Sequence, residues 1–162
     1  MSDDIYHLSA KDIDAMEGLA KTHFLNPKAQ RVNKSLGDVT GLTGFGFHII
    51  EVKPGFETTE HHVHHHEDEC VFVLEGHATA RIGEDRVEIG PGDFIGYRKG
   101  GLAHTIENTG DQTLRMIVVG ERLAHDVGDY PDKQKRIYRQ VGLAWNVVDH
   151  ADIHEPTGAG KK

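Results

Sequence analysis

Between Glu51 and Glu121 the chain is a succession of short β-favouring runs cut by turn chemistry, and no helical period survives within it. Pro54-Gly55, Gly83-Glu84-Asp85, Gly90-Pro91-Gly92-Asp93 and Asn108-Thr109-Gly110-Asp111 separate segments rich in Val, Ile, Thr, Phe or Tyr. Glycine reaches positive φ, proline presets φ, and Asn or Asp bonds back to its own backbone, so each cluster can reverse the chain. Reversals at this spacing predict an all-β sandwich or barrel. A length of 162 residues with 37% hydrophobic content allows one domain with a sizeable core, and the 19 glycines suit a turn-rich architecture. No internal repeat suggests a second copy of the unit.

The chemistry is concentrated in Gly55 to Gly76, GFETTEHHVHHHEDECVFVLEG. Side chains two apart on a strand share a face, so His62 and His64 point the same way with Val63 turned opposite. Glu69 lies an odd number of residues beyond His64, so an unbroken strand would put it on the wrong face. The polar segment from His65 to Asp68 must bend the chain and leave Glu69 at the start of the next strand. Two imidazoles and a carboxylate facing one point suit a divalent transition metal. A fourth ligand has to come from a distant segment, and His104 is the best candidate. With the clamp assigned to His62 and His64, the neighbouring His61, His65 and His66 are expected to take surface or supporting roles. The run is internal and interrupted by Val63, unlike a purification tag.

At these residues the chain resembles the cupin family. The first stretch is similar to the cupin signature of Gly, His-x-His, Glu and Gly, at Gly55, His62, His64, Glu69 and Gly76. The second is similar to its companion motif, at Gly92, Asp93, Gly100, His104 and Asn108. It departs from that motif where Arg98 or Lys99 replaces the usual turn proline and where one extra residue precedes His104. The resemblance covers roughly residues 42–120 and implies a jelly-roll, or double-stranded β-helix, barrel. It also implies one bound metal ion, with Zn, Mn, Ni and Fe all compatible with three imidazoles and a carboxylate.

Around that barrel, expected over residues 40–121, two flanking segments read differently. In the N-terminal arm, residues 1–39, Ser9 can cap a helix over Ala10 to Lys21, with Ile13, Met16, Leu19 and Ala20 on one face. Asn26-Pro27 then breaks the chain, and Arg31 to Asp38 reads as irregular. Gly44 and Gly46 share a face of the next strand and suit a barrel bend better than a clearing under the cavity. Leu114 to Val119 is expected to close the barrel. The extension over residues 122–162 is mostly irregular and polar, but Ile137, Tyr138, Val141, Leu143, Trp145, Val147 and Val148 need cover. Packing on the barrel or exchange across a homodimer would supply it. Gly158 to Lys162 is expected to be disordered.

Composition excludes several partners. A net charge of −8 and pI near 5.9 argue against capture of nucleic acid or an anionic membrane. Cys70 is the only cysteine, so no intrachain disulfide forms. No apolar run reaches transmembrane length and the acidic start lacks signal-peptide features, which predicts a cytoplasmic protein.

Three imidazoles and one carboxylate leave about two positions on an octahedral ion for a small-molecule substrate. Since some cupins are sugar-phosphate-isomerase-like, the resemblance implies metal-dependent isomerisation of a sugar or sugar-phosphate-like compound, with Arg98 and Lys99 as an anion clamp. Glu57, Glu60, Tyr97 and Glu107 are the candidates for proton transfer. The alternatives are a dioxygenase acting on a diketone or catechol-like compound, and a binding protein without turnover.

Overall fold

The computed structural model describes residues 5–158, and the expectation for the last residues falls largely outside them. Thirteen strands dominate: β1 (Leu19–His23), β2 (Asn26–Ser35), β3 (Phe45–Val52), β4 (Val63–His64), β5 (Glu69–Glu75), β6 (Ala78–Ile82), β7 (Asp85–Ile89), β8 (Phe94–Tyr97), β9 (His104–Glu107), β10 (Leu114–Glu121), β11 (His125–Tyr130), β12 (Lys135–Gln140) and β13 (Asn146–Asp149). They form a six-stranded sheet in the order β1-β2-β3-β10-β5-β8, a four-stranded sheet β13-β12-β11-β4 and a three-stranded sheet β7-β6-β9. Every paired strand is antiparallel. The sheets do not merge into one closed barrel; single bridges such as His62 with His104 and Glu57 with Glu107 join their margins.

Alternation along the central strands builds the core. On β5, Val71 and Val73 are buried while Phe72 turns outward, and on β10 Leu114 and Met116 are fully buried. They pack with Ile50, Val52, Ala78, Ala80, Ile89 and Ile106 between the six-stranded and three-stranded sheets. Each buried aliphatic side chain contributes about 1.5–3 kcal/mol relative to exposure. Asn108 is fully buried as well: its Nδ2 donates to the carbonyls of Val52 and Gln112, both at 2.8 Å, and its Oδ1 accepts from Gly110 N–H. This motif residue therefore locks the turn before β10 and does not face a ligand.

The ends of the chain depart from the sequence reading. Ser9 and Asp12 form a reciprocal capping box, as the cap predicts, but α1 covers only Ala10–Ala15. Gly18 adopts φ +73°, and a Cβ there would lie 2.7 Å from Val32, so the chain leaves the helix and enters β1. Pairing with β2 overrides the helical period of Leu19 and Ala20. Asn26-Pro27 does not stop the chain but opens β2, where the Asn26 side chain caps Lys28 N–H. The segment read as irregular is the end of that strand followed by α2 (Leu36–Val39). β10 lies inside the six-stranded sheet, between β3 and β5, and so does not close a barrel. The C-terminal extension is more regular than its composition suggests, since it supplies β11, β12 and β13 and packs on its own chain through β4. Val141, Leu143 and Trp145 stay exposed.

Candidate metal centre

The chain around β4, β5 and β9 brings His62, Glu69 and His104 into one group, with His64 beside His62. His62 pairs with His104 in an isolated bridge, and His64 sits on β4. The chain turns over residues 65–68, and Glu69 opens β5. The Nε2 atoms of His62 and His64 are 3.1 Å apart, and His104 Nε2 is 3.6 Å from Glu69 Oε1. His62, Glu69 and His104 each offer a ligand atom within 4.8 Å of the other two.

The opposite edge of each ring fixes its tautomer. His62 Nδ1 is 2.9 Å from the Glu60 carbonyl, His64 Nδ1 is 2.7 Å from Asp126 Oδ2, and His104 Nδ1 is 3.3 Å from the Leu102 carbonyl. All three partners only accept, so each Nδ1 carries a proton and donates it. In the neutral rings every Nε2 is then a lone pair facing its neighbours. His104 Nε2 is buried with no hydrogen-bond partner among the described residues. Lone pairs this close repel unless a cation lies among them, and the donor set of three nitrogens and one carboxylate fits a divalent transition metal.

Charge is arranged to match. Burial, with the nearby His104 and His64, pushes His62 down to about 3, which keeps the ring neutral with its Nε2 lone pair free. Burial alone would raise Glu69, but the imidazoles of His104, His62 and His64 outweigh it and hold the carboxyl at about 2. His64 moves the other way, because Asp126 favours its charged form despite burial. Asp126 is 1% exposed and also accepts from His66 N–H and from Arg139 Nη2 at 2.7 Å. Arg139 Nη2 reaches Glu67 as well, at 2.5 Å, and Glu67 accepts Leu123 N–H. The cluster of His64, Glu67 and Asp126 thus already holds a guanidinium and reads as the support of His64.

The centre opens into a cavity of about 510 Å³. Tyr97 lines it, stacked on His104 with ring centroids 3.5 Å apart and planes 3° from parallel. Its hydroxyl is buried without a partner among the described residues, and burial together with Glu69 raises its pKa. Tyr97 is therefore a proton or hydrogen-bond donor toward the cavity. The other proton-transfer candidates lie elsewhere: Glu57, Glu60 and Glu107 line a separate pocket of about 280 Å³ with His61, Arg81 and Asp132. Arg98 and Lys99 are exposed and line neither pocket; the Lys99 backbone N–H donates to Asp68. His61 is buried, His65 bonds Asp129 at 2.7 Å, and the His66 ring faces His125, all outside the ligand set.

Sequence reasoning missed Asp126 and Arg139, along with Lys21, Arg31, His48 and Arg122 on the cavity wall. One signal was available: Asp126, Gly128 and Tyr130 alternate, and Asp126 and Tyr130 are buried on one face of β11. Of the two glycines expected to share a face, Gly46 lines the cavity and Gly44 does not.

The cupin domain model matches residues 48–120. No curated protein matches the chain significantly. Among solved structures, a candidate sugar phosphate isomerase from Acidithiobacillus ferrooxidans is 50% identical, with a TM-score of 0.90 over 93% of this chain and 96% of that one. A sugar phosphate isomerase of the cupin superfamily from Silicibacter pomeroyi is 24% identical, with a TM-score of 0.80 over 90% of this chain and 96% of that one, a likeness of fold. With its motifs on β4, β5 and β9 and a half-identical relative over nearly its whole length, the chain belongs to the cupin family.

Proposed function

We propose that the protein is a metal-dependent isomerase of a sugar or sugar-phosphate-like substrate, with His62, His64, Glu69 and His104 holding one divalent transition metal ion. The observation that carries this reading is the convergence of Nδ1-anchored imidazoles and Glu69 at the wall of a cavity large enough for a small sugar phosphate. The half-identical candidate sugar phosphate isomerase supports the reaction class. When bound, the metal would supply Lewis acidity toward a substrate carbonyl.

The chain's own residues supply the rest. Asp126 and the carbonyls of Glu60 and Leu102 each hold one imidazole by its Nδ1, so little reorganisation would accompany binding. Tyr97 keeps its phenolic proton and offers it to a substrate oxygen beside His104. Lys21, Arg31 and Arg122 on the wall favour an anionic, oxygen-rich substrate over a diketone or catechol, whereas Arg139 on the same wall is paired with Glu67 and Asp126.

Anaerobic turnover of aldose and ketose phosphates by metal-reconstituted protein tests the proposal, with oxygen uptake on diketones and catechols run in parallel. Aldose–ketose interconversion without oxygen is expected. Oxygen consumption would favour the dioxygenase, and silence in both assays would leave a binding protein.

A further inference from the structure

Away from the metal ligands, the same cavity carries a cluster of cations that the core does not need. Arg31 on β2 donates through Nη1 to the Thr58 carbonyl, while its Nε is buried with no partner among the described residues. Lys21 is its direct cross-strand neighbour on β1, so two like charges face each other along the wall. Such pairs destabilise a sheet unless an anion lies between them. Burial pushes both cations toward their neutral forms, and Glu69 is the carboxylate that favours charge on Arg31.

Gly46 and the residues around it extend the cluster. A Cβ on Gly46 would meet His48 Nε2 at 2.6 Å and Arg122 Nε and Nη2 at 3.3 Å, so these three nitrogens border one notch. Asn33 Nδ2 donates to His48 Nδ1 at 3.2 Å, which leaves the His48 proton on Nε2, facing the notch. Arg122 gives Nη1 to Asp38 at 2.5 Å, and its other two nitrogens have no hydrogen bond among the described residues. Asp38 is occupied by Arg122 and Ser35, and the Glu121 side chain on this wall accepts from Asp68 N–H.

We infer that Arg31, Arg122 and His48, with Lys21 at the mouth, form a subsite for the phosphate monoester of the substrate whose carbonyl end faces the metal. The inference rests on the proposed function and names the group that function leaves open. Two guanidinium groups, an imidazole N–H and an ammonium offer more donors and more positive charge than a carboxylate can use, and they match a dianionic phosphate. Gly46 supplies the room. The subsite replaces the clamp expected at Arg98 and Lys99, which lie outside the cavity.

Calorimetric binding of sorbitol 6-phosphate, inorganic phosphate and neutral sorbitol, none of which the enzyme can isomerise, separates this subsite from catalysis. In wild type, the phosphorylated polyol and inorganic phosphate are expected to bind with or without metal, and sorbitol far more weakly. Arg31→Gln and Gly46→Ala should each weaken sorbitol 6-phosphate at least tenfold while metal content stays at the wild-type level; Gly46→Ala guards against a fold defect, since its backbone suits alanine and its Cβ only displaces His48 and Arg122. Arg98→Gln with Lys99→Gln should change nothing. Equal weakening of phosphorylated and neutral polyol, or unchanged phosphate binding in both variants, would overturn the subsite. Absence of turnover with phosphate binding intact would instead overturn the isomerase reading alone.

Discussion

Replacing Asp126 by asparagine keeps the shape of the side chain and changes one property, the acceptor facing His64. The carboxylate accepts His64 Nδ1 at 2.7 Å, His66 N–H at 3.0 Å and Arg139 Nη2 at 2.7 Å, in a site 1% exposed to solvent. Asparagine can keep the bond from His66 through its oxygen, but its NH₂ must then face His64 and Arg139. A donor opposite Nδ1 favours the tautomer with the proton on Nε2, where it occupies the lone pair the metal needs. Loss of such a supporting partner weakens metal binding by about 10- to 100-fold, or about 1.4–2.7 kcal/mol. Competition with a chromogenic chelator measures the affinity, and circular dichroism checks the fold. Unchanged affinity in the folded variant would refute the argument that Asp126 sets the His64 tautomer.

Three further outcomes follow from the same geometry. Leu114→Ala, at a fully buried position remote from the ligands, should cost about 2–5 kcal/mol in urea unfolding with metal content unchanged. Arg31→Met should leave the metal-free protein equally or more stable, since it removes a buried cation with an unsatisfied Nε, whereas a structural arginine would lose stability. His23 is held down to about 4 by burial and by the charge of Arg31. Its unfolded value is about 6.5, so the unfolded chain binds more protons between those two values. Stability should therefore fall as pH drops from about 6.5 to about 4 and be full above that window; His23→Gln should flatten the slope in urea titrations, and an unchanged slope would contradict it.

The parts legible in the sequence are those set by local rules. Parity places His62 and His64 on one face, either side of Val63, and the need for a bend before Glu69 appears as the turn over residues 65–68. The cap at Ser9 is local too and forms as its residues dictate. What escaped depends on distant pairing. Asp126 reaches His64 across 62 positions, through β11 laid on β4, and no spacing rule encodes that meeting. β12 lies in the extension read as mostly irregular and polar, yet it is a strand whose Arg136 and Arg139 pair with Asp129, Glu67 and Asp126. Arg98 and Lys99 drew attention by standing next to a ligand motif, whereas Lys21 and Arg31 reach the cavity only because β1 and β2 extend the six-stranded sheet.

Elemental analysis of wild type and His104→Ala, both purified without added metal, tests the shared centre most directly. The expected result is one equivalent of a divalent transition metal in wild type, lost from a variant whose β signature persists, because His104 Nε2 is a buried ligand atom with no hydrogen-bond partner among the described residues. Metal-free wild type that takes up no ion on reconstitution, or a variant that retains the full equivalent, would contradict the account.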